Sequence, residues 1–138
     1  MRSRMTVYTA VTLLVLGALA SVAEATSLPT GPWTIIANGS FGTFQVTSVD
    51  GSGNLNATAF GQQTTGFYST TANRIFFLRQ AGGFLDTVQQ YAGDLFLIPA
   101  TPGTCTYVLA GQFSALAGTG GTNADNVFGW VAFKDAPC

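Results

Sequence analysis

The chain has 138 residues, of which only 8% are charged, with 5 Lys+Arg, 6 Asp+Glu, no His and a formal net charge of −1. So few cations exclude a nucleic-acid surface and polybasic attachment to anionic lipid. The lack of His removes the commonest general base and metal ligand.

Residues 1–25 read as an address. Arg2 and Arg4 give a positive start, residues 6–20 are an apolar run, and Ala23-Glu24-Ala25 is a small-x-small cleavage site. This pattern predicts a secretory signal peptide removed after Ala25, leaving residues 26–138 as a single domain large enough for one core. The run is short for a bilayer span and no second run is long enough, so no membrane span is expected after cleavage. The expected location is secreted, periplasmic or extracellular. The remaining domain sets Arg74, Arg79 and Lys134 against Asp50, Asp86, Asp94, Asp125 and Asp135. Its solubility rests on Thr, Ser, Asn, Gln and Gly, and a surface that repels its own copies so weakly favours a homo-oligomer.

Eight short apolar stretches follow, none with helical spacing. Residues 26–32 are a leader. Strands are predicted at 33–37, at 41–49 after the turn Asn38-Gly39-Ser40, and at 54–60 after Asp50-Gly51-Ser52-Gly53, a hairpin signal in which Gly supplies positive φ. Gly61-Gln62 turns the chain into 63–68, and 69–73 turns it into 74–80, the most apolar strand. The sixth strand, 87–98, bends at Gly93 and is broken by residues 99–103. Strands seven and eight are 105–115 and 127–134, joined by the longest loop, in which Gly118 to Asn123 reads as a rim loop and not as a phosphate cradle. Sequential hairpins without helices imply an all-β, eight-stranded antiparallel up-and-down (meander) barrel, because closure removes both exposed edges. Gly66, Gly93, Gly111 and Gly129 fall inside strands and mark bends or close backbone approach.

Cys105 and Cys138 are the only cysteines, and in an exported chain a pair reads as a disulfide. Setting Ser114 opposite Val127 places Cys105 opposite Ala136, with Cys138 two residues away. No metal site and no cofactor are expected. Asn38-Gly39-Ser40 and Asn56-Ala57-Thr58 match the N-glycosylation pattern, which marks exposure.

Gly31-Pro32-Trp33 has the Gly-x-Trp form that opens the first strand in lipocalins, avidins and their relatives. The stretch from Gly42 to Thr47, then Asp50-Gly51, then Asn54 to Phe60, resembles the second and third strands of the avidin and streptavidin family. The resemblance covers residues 31–60. The stretch from Phe128 to Lys134 echoes a mid-chain strand of streptavidin-like proteins but stands here at the end. The resemblance implies a calycin-type barrel with an interior ligand site. It does not carry the biotin-binding set. Ile35 stands where the family has Asn, Ser40 matches a family Ser only after a one-residue shift, and Ala59 or Phe60 replaces the Tyr hydroxyl. Two Trp cannot complete the family's Trp wall, and each lost hydrogen bond to a buried ureido group costs about 1–3 kcal/mol. Biotin is not the expected ligand.

The candidate ligand-binding residues are Trp33, Ser40, Tyr68, Phe76, Gln90, Tyr91, Phe96, Gln112 and Trp130. Each has a plainer role open to it. Trp33 can close one end of the barrel beneath a cation, with Lys134 and Arg79 as candidates. Phe76, Phe96 and Trp130, with Leu78, Leu109 and Phe113, can fill the interior instead of lining a cavity. Tyr68, Gln90, Tyr91 and Gln112 can face solvent. Asp94 is the one carboxylate placed mid-strand, where an inward position would raise its pKa. No nucleophile–base pair or carboxylate pair can be assembled, so an enzyme is not expected. Two functions stay open: a secreted barrel holding a small apolar or weakly polar ligand in its interior, and a structural or interaction protein of the cell surface or matrix with a packed barrel.

Overall fold

A computed structural model describes residues 25–81, 87–116 and 126–138. Eight strands form, β1 (Gly31–Ala37), β2 (Ser40–Val49), β3 (Asn54–Ala59), β4 (Gln62–Ser69), β5 (Arg74–Ala81), β6 (Thr87–Thr101), β7 (Thr104–Leu116) and β8 (Val127–Pro137). They pair in sequence order, all antiparallel, and β1 pairs with β8 to close the barrel. No helix among the described residues is long and apolar enough to cross a membrane. The predicted signal peptide and the Gly118–Asn123 loop lie outside the described residues, except for Ala25.

Alternation builds the barrel wall. Trp33, Ile35 and Ala37 of β1, Phe44 and Val46 of β2, and Leu55, Ala57 and Ala59 of β3 point inward and are buried, while their neighbours face out. Two hairpins use two-residue turns in which both residues have positive φ, Asn38-Gly39 and Phe60-Gly61. Phe60, expected as the last residue of β3, therefore belongs to the turn.

One strand outruns its expected end. β6 continues through Pro99 to Thr101, with a register shift between them. Its pairing with β5 stops at Asp94; the Leu95 N–H still reaches the Asn73 carbonyl, and beyond it β7 is the paired strand among the described residues. A strand edge tolerates Pro, which has no N–H to donate.

The expected pairing of β7 with β8 is present residue for residue, Ser114 opposite Val127 and Cys105 opposite Ala136. Cys105 and Cys138 form a disulfide with Cα atoms 5.2 Å apart. The bridge ties the chain's last residue to the start of β7.

One end of the barrel is closed by the leader. The Trp33 indole N–H donates to the Pro29 carbonyl at 3.0 Å, and the Tyr68 hydroxyl donates to the Thr26 carbonyl at 2.6 Å. Leu28 is buried under this strap, and Tyr107 meets Trp33 edge-on at 6.4 Å. The expected cation over Trp33 is replaced by other contacts. Lys134 Nζ donates to the Pro32 carbonyl, and Arg79 lies over Phe60.

Above this floor an aromatic stack crosses the interior. Phe44, Phe77, Tyr91, Phe113 and Phe128 follow one another with centroid separations of 5.0, 4.5, 4.8 and 5.2 Å. Trp130 meets Phe77 and Tyr91 edge-on, each at 5.7 Å. Its indole N–H donates to the carbonyls of Ala92 and Gln112. Glycine makes this possible. Gly93 and Gly111 pair across β6 and β7, and a Cβ on Gly93 would stand 2.8 Å from Trp130 Cζ2. Gly129 differs from the expectation for strand glycines, because a Cβ there would meet nothing within 4 Å.

Candidate functional site

The β1–β2 and β3–β4 turns share one end of the barrel, opposite the leader strap. Here the inward-facing residues turn from apolar to polar. Arg79 of β5 stands directly between Thr64 of β4 and Gln89 of β6 in cross-strand register. Arg79 Nη1 donates to Gln89 Oε1 at 2.7 Å, and the Tyr91 hydroxyl donates to the same oxygen at 2.9 Å. The Thr64 hydroxyl donates to the Ala57 carbonyl at 3.0 Å. Tyr91 thus joins two layers, its ring in the aromatic stack and its hydroxyl in the polar group.

Phe60 forms a side of this group. Its φ of 53° lies in the left-handed region, which is costly for a bulky side chain. The ring folds over Gly42, where a Cβ would overlap it. The Arg79 guanidinium carbon sits 4.6 Å from the Phe60 ring centroid, a cation–π contact.

Two buried polar atoms at this end, Arg79 Nε and Gln62 Oε1, have no hydrogen-bond partner among the described residues. Leaving a buried donor or acceptor unpaired costs about 1–3 kcal/mol. The ion pair formed by the described residues is elsewhere, Arg74 to Asp94 at 2.8 Å. Burial pushes the Tyr91 hydroxyl above its ordinary pKa, with the Arg79 charge pulling the other way. Tyr91 is therefore a neutral hydrogen-bond donor at neutral pH.

The nine candidate residues divide by face. Trp33, Tyr68, Tyr91 and Trp130 are buried inside. Trp33 and Tyr68 belong to the floor, so of these four only Tyr91 and Trp130 stand near the polar end. Phe76 and Phe96 are exposed on the outer wall, and Ser40 is exposed at the start of β2. Gln90 and Gln112 come together, but in a shallow outer groove with Ala92, Ser114 and Val127. Asp94 points outward to Arg74 and has no inward role.

Of this polar group only Tyr91 is among the sequence-predicted ligand residues. The sequence points to Arg79 as a partner for Trp33, to Phe60 as the end of the third strand in place of a family Tyr, and to Gln62 as a turn residue, whereas Gln62 opens β4; no motif in it singles out Gln89. Strand periodicity carried a signal for one of them. Gln90 and Tyr91 are neighbours and cannot both face inward, so an inward Tyr91 selects Gln89 and rejects Gln90. The same rule selects Phe77 over Phe76 and Phe113 over Gln112.

Comparison with protein-family models, with curated proteins and with solved structures finds no match to this chain.

Proposed function

We propose that this chain is an exported, avidin-like barrel that binds a small, largely apolar ligand at the end formed by Phe60, Gln62, Arg79, Gln89 and Tyr91. The observation that carries the reading is two buried polar atoms, Arg79 Nε and Gln62 Oε1, that have no hydrogen-bond partner among the described residues and stand beside an aromatic stack. Binding sites commonly combine an apolar wall with a few converging polar groups. The ligand sits at the barrel end and not deep inside, because Phe44, Phe77, Tyr91 and Phe113 fill the middle. The Gly-x-Trp start, Trp33 at the closed end and the eight-stranded meander support the avidin-like assignment, and the missing polar shell argues against biotin. Export is supported by the disulfide, which suits an oxidising compartment. We read the role as binding, since among the described residues Arg79 and Tyr91 are joined by Gln89 and not by a general base or nucleophile.

The test is native mass spectrometry of the protein purified from its source, paired with a ligand screen read by tryptophan fluorescence. A co-purified small molecule, or quenching of Trp130 that Arg79→Gln weakens, is expected. A ligand-free protein that responds to no compound would refute the reading.

A second reading rests on the outer wall. Phe96, Val108 and Phe133 lie in one cross-strand row, and Ala110, Val131, Ile36 and Phe41 in the next. Phe41 is 74% exposed and Phe96 52%. An apolar patch of this kind suits an interaction protein or a homo-oligomer. Sedimentation velocity decides it, and a strict monomer at high concentration would sink this second reading.

A further inference from the structure

Resting on the binding site proposed above, we infer that its ligand is an apolar monocarboxylic acid, held by the Nε–Nη2 edge of Arg79. The guanidinium carries two edges with paired donors, Nε–Nη2 and Nη1–Nη2, and Gln89 Oε1 already takes Nη1. Nε is buried without a partner among the described residues. The edge made by Nε and Nη2 presents two parallel donors whose spacing matches the two oxygens of a carboxylate.

The arginine is held in place before any ligand arrives. Gln89 fixes one end of the guanidinium from the directly opposed position on β6. The Phe60 ring fixes its face at 4.6 Å. Phe60 is in turn set by its positive-φ turn and by the space that Gly42 leaves. A donor edge fixed in this way loses little freedom on binding.

The charge count favours one negative charge. Among the described residues Arg79 forms no ion pair with a carboxylate and no second cation stands beside it. A single guanidinium balances a monoanion, whereas a phosphate dianion would be left with charge over an aromatic wall. The rest of the ligand is apolar, because Phe60, Phe77, Tyr91 and Phe113 supply the neighbouring surface. Gln62 Oε1, an acceptor with no partner among the described residues, favours a ligand that also carries an O–H or N–H group.

The experiment uses three matched pairs of probes with the whole protein: octanoate and octanamide, 2-naphthoate and 2-naphthamide, and 1-pyrenebutyrate and 1-pyrenebutanamide. Affinities come from calorimetry or fluorescence at pH 7. At least one acid is expected to bind ten-fold or more tighter than its amide. In Arg79→Gln that preference collapses through a ten-fold or greater loss of acid binding, and Arg79→Lys, which keeps the charge but lacks the paired donor edge, lowers it. A second measurement needs no variant. In the wild-type protein the acid's advantage fades as pH falls below the acid's own pKa, about 4–5 for a simple carboxylate. Equal binding of acid and amide by the wild-type protein would overturn the carboxylate assignment and leave the binding site standing. Failure of all six probes to bind would overturn both.

Discussion

Phe76 and Phe77 are neighbours on β5 with the same side chain and opposite surroundings. Phe77 is 0% exposed, lies between Phe44 at 5.0 Å and Tyr91 at 4.5 Å, and takes the Trp130 edge at 5.7 Å. Phe76 is 37% exposed on the outer wall. Truncating a buried Phe to Ala costs about 3–5 kcal/mol, from lost transfer energy and the cavity left behind. Each aromatic contact adds about 0.5–1.5 kcal/mol beyond burial, which places Phe77→Ala toward the upper part of that range. Phe76→Ala is expected to cost about 1 kcal/mol or less. With a urea m-value of about 2 kcal/mol/M, Phe77→Ala lowers the unfolding midpoint by about 2 M and Phe76→Ala by no more than about 0.5 M. Fluorescence of Trp33 and Trp130 follows the transition. The cavity in Phe77→Ala should also take up benzene or indole and recover part of the loss. Equal costs for the two variants would refute the inward stack. A cost below about 1.5 kcal/mol for Phe77→Ala would show a loose interior, and a ligand seated deep in the barrel would then return as the better reading.

Three further outcomes test the structure independently. Gly111→Ala pushes a Cβ into the Ala92 carbonyl and Gly93, both backbone, and should cost about 3 kcal/mol or more, whereas Gly129→Ala, with open space around it, should be neutral or slightly stabilising by thermal melting. Replacing Cys105 and Cys138 by Ala should cost about 3–4 kcal/mol in urea unfolding, given their separation of 33 residues, and a loss under about 1 kcal/mol would mean that β7 and β8 hold the C-terminus unaided. Burial pushes the Tyr68 hydroxyl from 10.0 up to about 12. Its folded pKa lies above the unfolded one, so its contribution is fully present below pH 10 and is lost as pH rises toward 12, to about 3 kcal/mol in all. Burial shifts Tyr91 in the same direction. Absorbance titration at 295 nm should show Tyr68 un-ionised at pH 11 in the folded protein, and its ionisation near pH 10 would contradict the burial.

The strand plan was legible because its signals are local. Asn38-Gly39 and Asp50-Gly51-Ser52-Gly53 mark turns by backbone conformation alone, and each strand's apolar residues mark its extent. The β7–β8 register followed from one assumed pair and so did the disulfide, since antiparallel neighbours joined by a loop have few ways to align. The extent of β6 was less legible. Pro99 reads as a breaker until the β5 ladder is seen to stop at Asp94, which turns that stretch into an edge.

The candidate site depended on the register of β4, β5 and β6. Composition and spacing by themselves settled an all-β chain of eight strands, a low-charge surface and a cysteine pair within reach of each other, because turn chemistry and period-2 alternation act over a few residues. They left open which member of Gln89 and Gln90, or of Phe76 and Phe77, faces in, because alternation has two equivalent phases until one residue is anchored in the core. Phe44 stacks on Phe77 from three strands away, and Phe60 reaches Arg79 by turning back over Gly42. The Phe44–Phe77 contact exists only once the sheet has curled, and the pairing of β4, β5 and β6 in this register, not the order of residues along the chain, assembles Arg79, Gln62 and Tyr91 into one polar end.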